Sequence, residues 1–295
     1  MDFQKIPRIE DKQHYLDVAF KRGSSKAKAA NKNKDLVRIS TVKDYLVSNL
    51  SKICSGFPSF DDLSLFQRDV LLLRFEIDDI KQSLGGVNWG MNTIRRLGVE
   101  YSKKTSEWRQ FYARVNSVFD KISKDLDFLE EVRKFLREMP MVRDMFTVCI
   151  TGFPNVGKST LITKITESKP EINSYAFTTK RINIGYFDNI QVMDTPGALG
   201  REKVNSIEQL AFYAIKDVAN ILVFVFDLTE PYPWEDQLAL FEKVKGFGKP
   251  LVGYLSKTDI IDENDSRIND LEVDLYKDPD VLKEKLIGFS RNHAF

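Results

Sequence analysis

Cysteine and histidine are scarce in this chain. Its two Cys, Cys54 and Cys149, have no paired spacing, which excludes a disulfide framework and a thiolate zinc site. Its two His, His14 and His293, lie near opposite ends, the wrong arrangement for a histidine-ligated metal centre. Only 15 Gly and 10 Pro accompany 42% hydrophobic and 29% charged residues, a globular composition rather than a disordered or fibrous one. No apolar run approaches the roughly 20 residues that cross a bilayer, and the longest, Ile221 to Phe226, reads as a buried strand. Met1 to Ala19 lacks the apolar stretch of a signal peptide. These absences lead to the expectation of a soluble, intracellular protein with no membrane partner. An excess of charge is missing too, since 44 Lys+Arg against 43 Asp+Glu leave +1. Spread evenly, that balance would argue against a nucleic-acid partner.

The charge is not spread evenly. At about 150 residues per domain, 295 residues make about two domains. Residues 1–150 hold 27 basic and 21 acidic residues, a net +6, and residues 151–295 hold 17 and 22, a net −5. The first half has helical periodicity. Val42, Tyr45, Leu46, Leu50 and Ile53 follow a Thr41 cap, and Gly56 and Pro58 break that helix. A second helix is expected from Asp61–Asp62 to Gly85–Gly86, and a third from about Asn88 to Tyr101. Phe111, Val115, Val118, Ile122, Leu126, Leu129, Val132 and Leu136 form one stripe on a long helix closed by Pro140. An antiparallel bundle buries such stripes. Lys21, Arg22, Lys26, Lys28, Lys32, Lys34 and Arg38 cluster around a stretch, Gly23 to Lys34, that has no hydrophobic periodicity, which predicts an extended basic arm ordering on RNA phosphates, with a merely solvated linker as the alternative. Lys103, Lys104, Arg109 and Arg114, interleaved with Tyr101, Trp108 and Tyr112, make either a second contact or an ordinary solvent face.

The second half alternates short apolar runs, Met145–Ile150, Ile182–Phe187, Ile190–Met193, Ile221–Asp227 and Leu251–Leu255, with helical stretches such as Ile207–Val218 and Trp234–Lys245. That rhythm predicts an α/β fold with a mostly parallel sheet over 144–295, after an all-α domain over 1–143. Gly152-Phe-Pro-Asn-Val-Gly157-Lys158-Ser159 matches GxxxxGK[ST] between a strand and a helix. Its glycines let backbone N–H groups turn towards phosphate oxygens, Lys158 neutralises phosphate charge and Ser159 can ligate Mg²⁺. The nucleotide-binding candidates are thus Gly152, Asn155, Val156, Gly157, Lys158, Ser159 and Thr160. Asp194-Thr-Pro-Gly197 follows an apolar strand, where Asp194 can hold Mg²⁺ and the Gly197 N–H can reach a γ-phosphate.

With Ser256-Lys257-Thr258-Asp259 after Leu251–Leu255, the P-loop, DxxG and NKxD-like elements occur in the order that resembles a GTPase of the Ras-related superclass. The resemblance implies that Asp259 reads guanine and that the Lys257 stem packs on the base, with Ser256 in place of the usual Asn. It also puts Ser290, after Leu286–Phe289, where the last base-contacting loop falls. Tyr175-Ala-Phe-Thr178-Thr179 resembles switch I of Obg-type GTPases and implies Thr179 as the Mg²⁺ and γ-phosphate sensor, with Thr178 as the alternative. After Gly197 stand Ala198 and Leu199 where Ras-like enzymes place a water-orienting Gln, so slow intrinsic hydrolysis is expected. In GTPases with such a replacement a P-loop Asn coordinates K⁺, and Asn155 holds that position. Phe57-Pro58-x-Phe60-Asp61-Asp62-Leu63, Leu129-Glu-Glu-Val-Arg133, Met139-Pro140 and Tyr175–Lys180 further resemble the Nog subfamily of Obg-like GTPases, over nearly the whole chain. That resemblance implies a cytoplasmic GTPase of the shorter archaeal type; a monomer is expected only because nothing in the sequence suggests an obligate dimer. Its expected ligands are GTP or GDP, Mg²⁺ and K⁺. It would act on the large ribosomal subunit precursor and its rRNA, alongside other assembly factors. The rival readings are a nucleotide-dependent placeholder on rRNA with negligible turnover, and a P-loop kinase or ATPase, against which Asp259 argues.

Overall fold

The computed structural model describes residues 3–139, 142–166, 171–174, 181–195, 212–229, 232–260, 266–268 and 271–292. The chain divides into two compact units, Met1–Ser64 with Leu71–Arg137, and Leu65–Val70 with Glu138–Phe295.

The first unit is helical: α1 (Lys12–Ala29), α2 (Lys34–Gly56), the end of α3 (Leu65–Leu72), α4 (Ile77–Ser102) and α5 (Trp108–Glu138). The Asp11 carboxylate caps α1 by accepting from the His14 N–H at 2.7 Å, satisfying one of the orphan donors of the first turn. Ile39, Val42, Leu46 and Leu50 of α2, and Phe111, Val115, Ile122 and Leu129 of α5, are all at most 1% exposed. The long α5 stripe is as its spacing predicts, and Pro140 lies outside the described residues.

Three expectations are corrected here. The segment from Gly23 to Ala29 is helix, so the basic residues Lys21, Arg22, Lys26 and Lys28 are carried on α1 and not on an extended arm. Ala and Lys are good helix formers, and the missing apolar residue at 23 reflects a close approach. A Cβ on Gly23 would come within 2.7 Å of Val42 Cγ2 and 2.9 Å of the Tyr112 hydroxyl. Gly85–Gly86 likewise ends nothing, since α4 runs through it and unites the predicted second and third helices. A Cβ on Gly86 would lie 2.3 Å from an Asp125 oxygen, so that glycine permits a crossing by α5. The start of the expected second helix is instead a 3₁₀ turn at Phe60–Asp62 followed by the short α3.

The second unit is a seven-stranded sheet in the order β2-β3-β4-β1-β5-β6-β7. Its strands are β1 (Phe146–Thr151), β2 (Glu171–Ser174), β3 (Arg181–Phe187), β4 (Ile190–Asp194), β5 (Ile221–Phe226), β6 (Leu251–Leu255) and β7 (Leu275–Tyr276). Strands β4, β1, β5, β6 and β7 run parallel, and β2–β3–β4 is an antiparallel edge. Helices α6 (Lys158–Ile165), α7 (Trp234–Lys245) and α8 (Pro279–Asn292) are joined by a π-helical turn at Ala214–Val218, the described end of the predicted 207–218 helix. The central strands β1 and β5 are buried almost throughout, which is why they read as unbroken apolar runs. Leu161, Ile162 and Ile165 of α6 and Leu282 and Leu286 of α8 pack into the same core as Val148, Ile150 and Val223. The parallel register places the C-terminal ends of β1, β4, β5 and β6 on one edge. In open α/β sheets, ligands bind beyond that edge.

Candidate functional site

The loop between β1 and α6 is built for close approach. Gly152 has φ 141°, and a Cβ there would meet the Val225 carbonyl oxygen at 2.7 Å, so neither conformation nor space admits a side chain. Asn155 (φ 62°) and Gly157 (φ 96°) are also left-handed, the second as the N-cap of α6. Turns of this kind direct successive N–H groups into one concavity, and the α6 N-terminus adds positive potential. Val156 is buried beneath the loop, while Asn155, Ser159 and Thr160 are exposed. The Lys158 ammonium, on a residue only 7% exposed, donates to the carbonyls of Phe153 (2.6 Å) and Gly152 (3.2 Å), which hold it across the loop.

Asp194 ends β4, the neighbour of β1, and the parallel pairing sets it beside Ile150 and so next to the start of α6. The Ser159 hydroxyl donates to Asp194 Oδ2 at 3.0 Å. The Asn183 amide on β3 donates to the same Oδ2 (3.2 Å) and to Ser159 Oγ (3.1 Å). Asp194 is 8% exposed and its other oxygen, Oδ1, is buried without a hydrogen-bond partner. Burial pushes its carboxyl above the ordinary value, against the lowering pull of Lys158, Ser159 and Asn183. A buried carboxylate with a spare oxygen beside a serine hydroxyl is the hard-oxygen donor set that a divalent cation takes. The residues therefore fit Mg²⁺. Asn183 completes this cluster and carries no signal in the sequence, because a single polar residue on a strand belongs to no motif.

A second cluster follows β5 and β6. Ser256 donates through its hydroxyl to the Phe226 carbonyl (3.0 Å), and its Cβ lies 3.4 Å from where a Cβ on Gly157 would stand. Ser256 thus ties β6 to β5 beneath the P-loop, a role its shorter side chain can fill. Lys257, at φ 54°, donates to Asp227 Oδ2 (2.5 Å) and Thr229 Oγ1 (3.2 Å). Asp227 is fully buried, and Thr229 donates to its other oxygen from both N–H (2.9 Å) and hydroxyl (2.6 Å). Burial alone would raise its carboxyl, but the Lys257 and Thr229 bonds outweigh it and hold the group below the ordinary value. Asp259 lies in the turn after Lys257, exposed at the same edge of the sheet.

Ser290 is placed differently from the sequence expectation. It sits in the last turn of α8, not in a loop. The apolar run Leu286–Phe289 that precedes it belongs to the same helix, with Leu282 and Leu286 both fully buried at i, i+4 spacing. The last strand is β7, and the loop leaving it is Lys277–Asp278. Thr178, Thr179 and Gly197 lie outside the described residues.

A P-loop between strand and helix, an acidic residue on the adjacent parallel strand and a Lys-x-Asp turn after β6 define a P-loop nucleotide-binding domain of the GTPase type. The family and sequence matches agree. A family model described as NOG1 N-terminal helical domain matches residues 3–143, and one described as 50S ribosome-binding GTPase matches 147–257. The uncharacterized protein MJ1408 of Methanocaldococcus jannaschii is 35% identical over 88% of this chain and 82% of its own length. Nucleolar GTP-binding protein 1 of Encephalitozoon cuniculi is 33% identical over 72% of this chain, and that of Saccharomyces cerevisiae 30% over 74%. The chain spans 44% and 37% of those two proteins. The G domain of the T. maritima FeoB iron transporter superposes with a TM-score of 0.41 at 22% identity, covering 49% of this chain and 98% of that one. The chain belongs to the Nog subfamily of Obg-like GTPases. Among the described residues, no helix is long and apolar enough to cross a membrane.

Proposed function

We propose that this chain binds GTP with Mg²⁺ and hydrolyses it as a switch in assembly of the large ribosomal subunit, holding rRNA through its helical unit. The observation that carries the nucleotide reading is the Ser159–Asp194–Asn183 cluster with its unpartnered buried oxygen, set against a left-handed glycine loop. The loop N–H groups bind the phosphates, and Lys158 brings a charge to the β- and γ-phosphates. Ser159, and Asp194 directly or through water, would hold Mg²⁺, which when bound neutralises charge developing on the phosphate oxygens. Ser256 positions the P-loop, Lys257 lies along the base, and Asp259 accepts from guanine. Thr179 and Gly197 take the γ-phosphate-sensing roles on family resemblance. Asn155 is an exposed residue of the loop, where K⁺ would add charge that Ala198 cannot supply. The ribosomal part of the proposal rests on the two family matches and on the basic character of the helical half.

Single-turnover GTP hydrolysis by the full chain, in KCl and in NaCl, with and without large-subunit precursor, tests the reading. We expect faster turnover with K⁺ and with the particle. Equal rates in both salts would remove the K⁺ role. No stimulation under any condition would favour the nucleotide-dependent placeholder, for which the hydrophobic Ala198 is the supporting feature.

A further inference from the structure

Two basic segments about 70 residues apart in sequence meet at one end of the helical unit. Phe20 of α1 stacks on Tyr112 of α5 at 3.9 Å, and Gly23 packs against Val42 of α2 and the same tyrosine. The Arg38 guanidinium of α2 lies 4.0 Å over the Trp108 ring at the start of α5, and Gly98 of α4 rests on the Lys43 stem. The C-terminal half of α1, the N-terminal half of α2, the end of α4 and the start of α5 are therefore one surface. Residues 20–43 and 92–116 hold 14 basic residues and 3 acidic ones, a net +11. The rest of that unit holds 11 and 15, a net −4. Lys21, Arg22, Lys26, Lys28, Arg95, Arg96, Lys103, Lys104 and Arg109 are exposed. Arg95, Arg96, Lys103 and Lys104 border an open cleft of about 610 Å³ along α4.

We propose that this end of the bundle, centred on the α4 cleft, is a single docking surface for the phosphate backbone of structured RNA. The proposal rests on the reading above that the helical unit holds RNA, and it assigns the place. Charge complementarity is the argument for the occupant. Phosphate binding needs fixed cations, and rigid helices hold these at set spacings. A protein partner needs an apolar or aromatic anchor to bury at the centre of the interface. This end offers Val99 as its one large exposed hydrophobic among the described residues. Its aromatics are used inwardly: Tyr112 is stacked on Phe20, and Trp108 is flanked by Arg38 and by Arg109 at 4.6 Å. Recognition by backbone charge and shape also fits duplex RNA, whose deep major groove hides its base edges.

The experiment titrates the full-length protein with a 20-base-pair RNA duplex by fluorescence anisotropy across a salt series. One variant carries Arg95→Glu, Arg96→Glu, Lys103→Glu and Lys104→Glu. A control carries Lys124→Glu and Lys134→Glu, exposed on α5 away from this end. Unchanged circular dichroism and GTP binding verify that each is folded. We expect the fourfold reversal to weaken RNA binding at least about tenfold and to flatten the log K against log salt slope by about 3–4, at roughly one unit per lost phosphate contact. The control should change little. If the wild type binds RNA and the reversed protein binds equally well, this surface is wrong while the RNA reading stands. If the wild type does not bind, both fail. Binding of polyglutamate as tightly as RNA would overturn the assignment of the occupant in favour of an acidic protein segment.

Discussion

Asp194 stands with one oxygen shared between Ser159 and Asn183 and the other buried and unpaired, a state that burial alone disfavours and a bound cation relieves. Asn183 orients both first-line oxygens, so Asn183→Ala should weaken the Mg²⁺ dependence of nucleotide binding by about 10–100-fold, the usual effect of losing an outer partner of a metal ligand. A Mg²⁺ titration of GTP binding checks it. Asp227 gives a pH prediction. Its folded carboxyl value lies below the ordinary value near 3.8, so ionisation favours the folded state above that value. The stabilisation is lost as pH falls through the depressed folded value. Asp227→Asn should therefore cost about 1–3 kcal/mol at pH 7 and less once the pH falls below the ordinary carboxylate value, read as a narrower gap between the two Tm values. The P-loop residues and Asp194 were legible in the sequence because phosphate chemistry demands those residue types at fixed spacing. Asn183 and Asp227 were not, since each acts through a neighbour that only the sheet register brings near.

Helices and strands in this chain are set by contact as much as by local preference. Gly85 and Gly86 are adjacent in α4, yet nothing lies within 4 Å of a Cβ at 85 while one at 86 would meet Asp125. Gly85→Ala should stabilise the protein by about 0.5–1 kcal/mol through helix propensity. Gly23→Ala has the same propensity gain but drives a methyl into Val42 and towards the Arg38 carbonyl oxygen at 3.2 Å, and overpacking of about 1–3 kcal/mol wins. Urea unfolding of the two variants should move the midpoint in opposite directions. The same physics explains the misreadings. A glycine pair looks like a helix stop until a crossing helix needs the room. Ser290 was expected in a loop after the apolar run Leu286–Phe289, and a four-residue apolar run does not by itself show that a helix continues through it. The long α5 stripe and the buried runs of β1, β4, β5 and β6 had no such ambiguity, while β2 was too polar and the two-residue β7 too short to announce themselves.

Over the whole molecule, the net charge of +1 conceals an organisation at two levels. The chain divides into a basic helical half and an acidic nucleotide-binding half, and within the helical unit the positive charge gathers at one end. The first division is visible in a sum over sequence halves. The second is not, because it depends on helices α1 and α4 being packed against α2, and a segment read as an arm turned out to be part of that packing. The central claim concerns what the second unit binds. Competition of ATP against a fluorescent GTP analogue, measured on the full chain with Mg²⁺ and repeated with Asp259→Asn, tests it most directly. The account predicts that ATP at about 100-fold excess leaves GTP bound, as expected where a site's hydrogen bonds select one base. It also predicts that Asp259→Asn abolishes this preference. Equal competition by ATP, or undiminished GTP preference in the Asp259→Asn protein, would contradict it.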